Sequence, residues 1–216
     1  MNFDAAREQM VTGQVRTWDV VDDRVLETMS ELPRELFVPE QWRQSAYADL
    51  PIPIGSGQRM FTPRMEGRIL QAVGVRTGDE VLEIGCGSAY LSACLAHLGG
   101  TVTALEIDPD LAKQAETTLS AAEIERVTVV NADASSELPS QPYDVIVVGA
   151  AVSGSLAVFE TLLREGGRLF VVCGQGPTQT AHRIERLSQD HWQREALFET
   201  ELPFLQGFAP APTFEF

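Results

Sequence analysis

Two glycines and three acids are spaced as an adenosine site requires. In "VLEIGCGSAYL" (residues 81–91), an apolar run ends at Gly85-Cys86-Gly87 and then continues with helical periodicity. Such a strand–turn–helix lets the backbone approach a ligand closely, because glycine carries no β-carbon to clash. The helix predicted from about Ser88 aims unpaired N–H groups at the same point. Glu106 stands about 20 residues further on, at the end of the next apolar run, where an acid accepts hydrogen bonds from both ribose hydroxyls. Asp133 closes a third run, in reach of an adenine amino group. The glycine turn alone is a weak signal, and the two acids at this spacing strengthen it.

The third acid, Glu83, helps choose among adenosine ligands. A dinucleotide turn, GxGxxG, needs a third glycine for close helix packing, and here Tyr90 takes that place. Glu83 puts a carboxylate next to where a diphosphate would lie, which disfavours phosphate and favours a cation. S-adenosylmethionine has adenosine, no phosphate, a sulfonium and an α-amino group, and it fits these residues better than a nicotinamide dinucleotide.

These residues need a scaffold, and the hydrophobic rhythm predicts one. From Asp79 onward, short apolar runs alternate with helical patterns. "EVLEIG", "TVTALEID", "RVTVVNAD", "YDVIVVGAA" and "RLFVVCG" read as strands. "YLSACLAHLGG", "PDLAKQAETTLSAA" and "SLAVFETLLREGG" read as helices, the second opened by Asp108 as N-cap and Pro109 as first residue. Near-continuous apolar strands alternating with helices predict a doubly wound, mostly parallel α/β sheet covered on both faces. Ligands of such sheets bind at the carboxyl ends of the strands, where Gly85, Glu106 and Asp133 all fall. "WQREALFETELPFL" alternates loosely and is expected to add an antiparallel pair at the sheet edge. The final "APAPTFEF" is expected to be a loose end.

The first part of the chain is predicted to be a helical extension, residues 1–62, that lids the site of an S-adenosylmethionine-binding unit at 63–216. "DRVLETMSEL" sets Val25, Leu26, Met29 and Leu32 on one helical face. "YADLPIPIGSG" is rich in Pro and Gly and reads as an extended loop. A helix is expected to begin at Pro63, with Thr62 as its N-cap, and to end near Gly74.

Bulk properties exclude several classes. The chain has 216 residues and a net charge of -15, which opposes nucleic acid and anionic membrane surfaces as partners. No apolar run approaches the roughly 20 residues of a membrane helix. "MNFDAAREQM" has neither the basic nor the apolar region of a signal peptide, so a cytoplasmic location is expected. Cys86, Cys94 and Cys173 form no CxxC pair and read as reduced thiols, and His97, His182 and His191 are scattered, so no metal site is expected.

The chain resembles the protein-L-isoaspartate O-methyltransferase family over most of its length, from about Gln9 to Leu205. The segments that carry the resemblance are "LPRELFVPE", "AYADLPIPIGSGQ", "VLEIGCGSAYLSACLA", "YDVIVVGAA", "LREGGRLFVVCG" and, weakly, "LPFL". The cofactor turn is shared by many methyltransferases, whereas the two N-terminal segments are far more specific. The resemblance implies a cytoplasmic enzyme that uses S-adenosylmethionine to methylate the side-chain carboxylate of isoaspartyl residues in damaged proteins. The ester then collapses to a succinimide that reopens partly to aspartate. It implies cofactor contacts at Glu83, Gly85, Cys86, Gly87, Ser88, Tyr90, Glu106, Ile107 and Asp133, with Gln58 and Met60 from the lid.

"GQRMFTP" (residues 57–63) departs from the family. After Gly-Gln the family reads approximately Thr-Ile-Ser, one residue, then Pro. Aligned on Gln58 and Pro63, Phe61 occupies the place of the active-site Ser, and Thr62 carries the segment's only hydroxyl, one position late. Arg59 could anchor a substrate carboxylate through its planar fork. The departure keeps other readings open: a methyltransferase with a different acceptor, or a cofactor-binding module without turnover. A nicotinamide oxidoreductase is disfavoured by Tyr90 and Glu83.

Overall fold

The computed structural model describes residues 2–176 and 178–211. The expected loose end therefore lies outside the described residues from position 212 onward. Helix α1 (Phe3–Met10) is opened by Asn2, whose side chain accepts from the Ala5 N–H. It runs into a π turn (Val11–Val15) and a 3-10 turn (Arg16–Trp18). Helix α2 (Asp23–Glu31) is capped by Asp22 and buries Val25, Leu26 and Met29, the face that the spacing predicts. Two further 3-10 turns, Arg34–Leu36 and Glu40–Ser45, follow. The Pro- and Gly-rich loop contains a small antiparallel ribbon, β1 (Pro53–Gly55) with β2 (Gln58–Arg59).

Helix α3 (Pro63–Val73) starts at the predicted proline and stops at Gly74, whose φ of 51° ends it in the left-handed conformation. Its buried face presents Gly67, where a β-carbon would come within 2.6 Å of Val15 and 3.2 Å of Val20. A side chain there would drive the N-terminal segment off the helix. At its far end, Arg168 donates to the carbonyls of Val73 and Gly74 (both 2.9 Å) and pairs with Asp79 at 2.6 Å.

The main sheet holds β3 (Glu80–Ile84), β4 (Thr101–Glu106), β5 (Val127–Asn131), β6 (Tyr143–Val152), β7 (Leu163–Cys173), β8 (Gln179–Ser188) and β9 (His191–Thr200). Their order is β5-β4-β3-β6-β7-β8-β9. The first five in that order are parallel; β8 and β9 form the expected antiparallel pair at the edge. Helices α4 (Tyr90–His97) and α5 (Pro109–Ala121) link the early strands, and Asp108 caps α5 by accepting from the N–H groups of Asp110 and Leu111. The chain leaves β3 toward β4 and β5, then returns to the other side of β3 as β6. The switch point thus lies between β3 and β6.

One predicted helix shrinks. Of residues 155–167 only α6 (Ala157–Glu160) is helical. The Leu-Leu-Arg-Glu that follows favours a helix by propensity, but Leu163 is buried opposite Tyr143 and already belongs to β7. Tertiary pairing outweighs local preference here. Two apolar layers sandwich the sheet: one joins residues of 10–60 to α3, α4 and the strands, and the other gathers Leu82, Ile146, Phe159, Leu163 and Leu169.

Candidate functional site

A cavity of about 810 Å³ opens at the carboxyl ends of the parallel strands. It is bounded by the turn after β3, the ends of β4 and β5, the β2–α3 segment and the residues after β9. The turn is built on left-handed backbone: φ is 81° at Gly85, 51° at Gly87 and 62° at Ala89. Nothing of the protein lies within 4 Å of a β-carbon built on Gly85, so its face is open to the cavity. A β-carbon on Gly87 would instead meet Ile54 at 2.8 Å, so that glycine serves the packing of β1 against the turn. Because Ala89 closes this turn, α4 begins at Tyr90, slightly later than the sequence predicts.

Most of the turn's N–H groups have partners within the protein. Gly85 and Cys86 donate to the Leu105 carbonyl (2.8 and 3.1 Å) and Ala89 to the Cys86 carbonyl (2.8 Å). Gly87 donates to Glu106 Oε2 at 2.9 Å, and Asp108 donates to Glu106 Oε1 at 3.1 Å. Two backbone bonds therefore fix the Glu106 carboxylate at the cavity wall, while its remaining lone pairs stay available to a ligand. This turn does not cradle a diphosphate with free N–H groups; it presents an acid.

Glu83 is 2% exposed and accepts from Ser92 Oγ. Burial, with the charges of Glu106 and Glu66 beside it, pushes its pKa up to about 8. Asp133, two residues past β5, accepts from the Ser135 N–H at 2.8 Å, and that bond with the Ser135 hydroxyl holds its pKa below the usual carboxylate range. Burial drives the Cys86 thiol well upward, leaving it neutral. The cavity lining brings together Gln58, Arg59, Met60, Phe61, Thr62, Glu83, Gly85, Cys86, Gly87, Ser88, Glu106, Ile107 and Asp133.

Tyr90 is the exception among the sequence-predicted residues. Its ring is 1% exposed and is not part of the cavity lining. It packs edge-on to Phe37 at 5.4 Å, with the Arg34 guanidinium 4.9 Å from its centroid. The bulky side chain at the third-glycine position thus fills the joint between α4 and the N-terminal segment. Thr62 stands at the N-cap of α3, but its side chain makes no capping bond, and Arg59 is exposed with one long contact to the Pro51 carbonyl (3.4 Å).

Sequence reasoning missed the residues on the outer side of the cavity. Glu66, in the first turn of α3, is 1% exposed yet reaches the cavity. It pairs with Arg34, which is wholly buried and also donates to the carbonyls of Ala46 (2.8 Å) and Phe61 (2.6 Å). Burial outweighs Arg34 and raises the Glu66 pKa to about 7. A signal was available: Pro63, Glu66, Gly67 and Leu70 share one helical face, so the acid interrupts a stripe that is otherwise apolar or glycine. Trp18, stacked under Arg64 at 3.9 Å, and Phe198, under Arg68 at 5.0 Å, form the mouth. They come from distant parts of the chain, and no local pattern joins them.

Residues 5–202 match the family described as Protein-L-isoaspartate(D-aspartate) O-methyltransferase (PCMT). Protein-L-isoaspartate O-methyltransferase 1 of Rhodopseudomonas palustris is 41% identical over 189 residues, which cover 87% of this chain and 76% of that protein. The Methanoculleus marisnigri protein of the same name is 40% identical over 185 residues, covering 85% of this chain and 83% of its own. The fold also matches a solved Plasmodium falciparum chain assigned to the same enzyme class, in complex with S-adenosyl-L-homocysteine. That match has a TM-score of 0.81 and 21% identity over 95% of this chain and 99% of the other. By its sequence over most of its length, the chain belongs to the protein-L-isoaspartate(D-aspartate) O-methyltransferase family.

Proposed function

We propose that this protein transfers a methyl group from S-adenosylmethionine to the side-chain carboxylate of isoaspartyl residues in damaged proteins. One observation carries the reading: in a chain of this family, the open face of Gly85, the backbone-fixed Glu106 and the β2–α3 segment that follows the family-specific "AYADLPIPIGSGQ" all meet in one cavity. The donor supplies an electrophilic methyl on a positively charged sulfur. The residues fit such a ligand. Glu106 accepts from the ribose hydroxyls, Asp133 accepts from the adenine amino group, and residues 85–88 give the methionine portion close backbone approach. Glu83, whose pKa burial and the neighbouring acids raise to about 8, would be drawn back to its ionised form by a cation beside it. Gln58, Met60 and Ile107 close over the ligand.

The acceptor needs no base, because a carboxylate with an ordinary pKa of about 4 is already anionic at neutral pH. With S-adenosylmethionine bound, an oxygen of that carboxylate would take the methyl carbon while the carbon–sulfur bond broke and its electron pair stayed on sulfur. The protein's task is to align these atoms and exclude water. Phe61 lines the acceptor side where the family carries its Ser, and Arg59 and Thr62 flank it. A cytoplasmic site of action is part of the proposal; among the described residues no helix is long and apolar enough to cross a membrane.

The half-buried ring of Phe61 also favours a second reading, an acceptor with an apolar neighbour in place of a free isoaspartyl group. Two measurements decide. Calorimetric titration with S-adenosylhomocysteine should show binding at micromolar concentrations, and labelled methyl should pass from S-adenosylmethionine to an isoaspartyl peptide. Cofactor binding without transfer to that peptide leaves the second reading; no binding at millimolar ligand overturns both.

A further inference from the structure

Of the buried acids on this cavity, Glu83 and Glu106 belong to the donor side. Glu66 does not. Arg34 holds one of its oxygens, Oε2, from Nη1, and the same guanidinium donates from Nη2 to the Phe61 carbonyl at 2.6 Å. Two nitrogens of one planar group thus set the Glu66 carboxyl beside the Phe61 backbone. That is the position where the family resemblance puts the active-site hydroxyl. Glu66 Oε1 has no hydrogen-bond partner among the described residues, and the residue borders the cavity.

We propose that Glu66 binds the methyl acceptor as a neutral carboxylic acid, its Oε2 accepting from Arg34 while its Oε1 hydroxyl donates to one oxygen of the acceptor carboxylate. The inference rests on the isoaspartyl reading above. It gives this chain an oriented donor at the acceptor site although Phe61 stands where the family has a hydroxyl.

The surroundings favour the neutral form. Among the described residues Arg34 is the one cation against Glu66, and it is shared with two backbone carbonyls. Tyr90 and Cys94 of α4, both raised by burial, face the pair as neutral groups. Glu83 of β3, itself beside Glu106 of β4, opposes a second negative charge. Burial raises the Glu66 carboxyl to about 7 even against the pull of Arg34. An acceptor carboxylate brought against it adds like charge, so one proton must be held between them. Acceptor binding is then full below the Glu66 pKa and weakens as pH rises through it.

The test uses the full chain with an isoaspartyl peptide. Initial rates of methyl transfer at low peptide give kcat/KM from about pH 6 to about pH 9. Calorimetry of peptide binding to the S-adenosylhomocysteine complex, in two buffers of different ionisation enthalpy, counts protons. In the wild type, kcat/KM should fall by about tenfold per pH unit above the Glu66 titration, and peptide binding near pH 8 should take up close to one proton. Glu66→Ala should lose roughly 10–150-fold in kcat/KM at about pH 6. Glu66→Gln, whose amide can accept from Arg34 and donate to the peptide, should recover most of that loss and should lack the descending limb. A limb unchanged in Glu66→Gln, or peptide binding without proton uptake, overturns the inference. If either variant fails to fold, the wild-type proton count alone decides. Wild type that binds S-adenosylhomocysteine but neither binds nor methylates the peptide overturns the isoaspartyl reading, and this inference falls with it. Transfer without proton uptake overturns only this one.

Discussion

The cavity has two halves that hold their acids in opposite ways. On the donor half, Glu106 and Asp133 are fixed by backbone N–H groups from their own neighbourhood, Gly87, Asp108 and Ser135. On the acceptor half, Glu66 is fixed by a single side chain 32 residues away, deep in the N-terminal segment. Backbone donors fix an acid at a strand end and cost little beyond the turn itself. A buried ion pair must offset the desolvation of both charges, and losing one partner strands the other. The donor half is therefore built to be robust. The acceptor half depends on the N-terminal segment staying docked.

The largest expected effect tests that dependence. Arg34→Ala leaves Glu66 unpaired and two carbonyls without donors, and should cost about 3–5 kcal/mol in denaturant unfolding. A loss below about 1 kcal/mol would mean that the acceptor half does not hang on this guanidinium. Next, Glu106→Ala should weaken S-adenosylhomocysteine by roughly 10–150-fold in calorimetry, the worth of hydrogen bonds to a charged acceptor. Unchanged affinity would put the ribose elsewhere and dissolve the distinction between the halves. Phe61→Ser should raise kcat/KM for an isoaspartyl peptide by only about 5-fold, because Glu66 already donates to the acceptor. A gain beyond about 100-fold would say that the native site lacks a donor.

The smallest effect concerns pH and stability. Glu83 and Glu66, with pKa values of about 8 and about 7, sit above the unbound carboxyl value of 4.5. The folded protein therefore holds protons that the unfolded chain has released. The stability tied to them is complete below about pH 4.5 and is lost as pH rises through about 7 to 8. Without ligand, Tm should decline by a few degrees over that window, and Glu83→Gln should flatten part of the slope. A Tm that climbs across the same window would contradict the burial assigned to these acids.

The same contrast explains what was legible in the sequence. Glu106 and Asp133 could be found because period, turn and acid recur at fixed local offsets, and the strands β3 to β7 follow from apolar runs. The helix expected across residues 155–167 failed because Leu163 gains more from pairing with Tyr143 than from its own propensity. That Tyr90 stands at the third-glycine position is plain in the sequence, whereas the burial of its ring in the N-terminal joint, away from the cavity lining, is not. Glu66 is hard to single out because a first-turn acid is ordinary on an exposed helix end, and nothing local says that it is buried against Arg34. Arg34 was visible within a family-specific segment, but nothing local says that it reaches Glu66, Ala46 and Phe61 together.

Helix α3 is anchored at either extremity by a buried arginine: Arg34 grips its start through Glu66 and the Phe61 carbonyl, and Arg168 grips its finish through Val73 and Gly74. A beam pinned at both supports does not swing. The helix is thereby the stiff rail of the cavity, and among the described residues the cavity's other borders, the stretch around Trp18 and the residues after β9, lack such anchors at both ends.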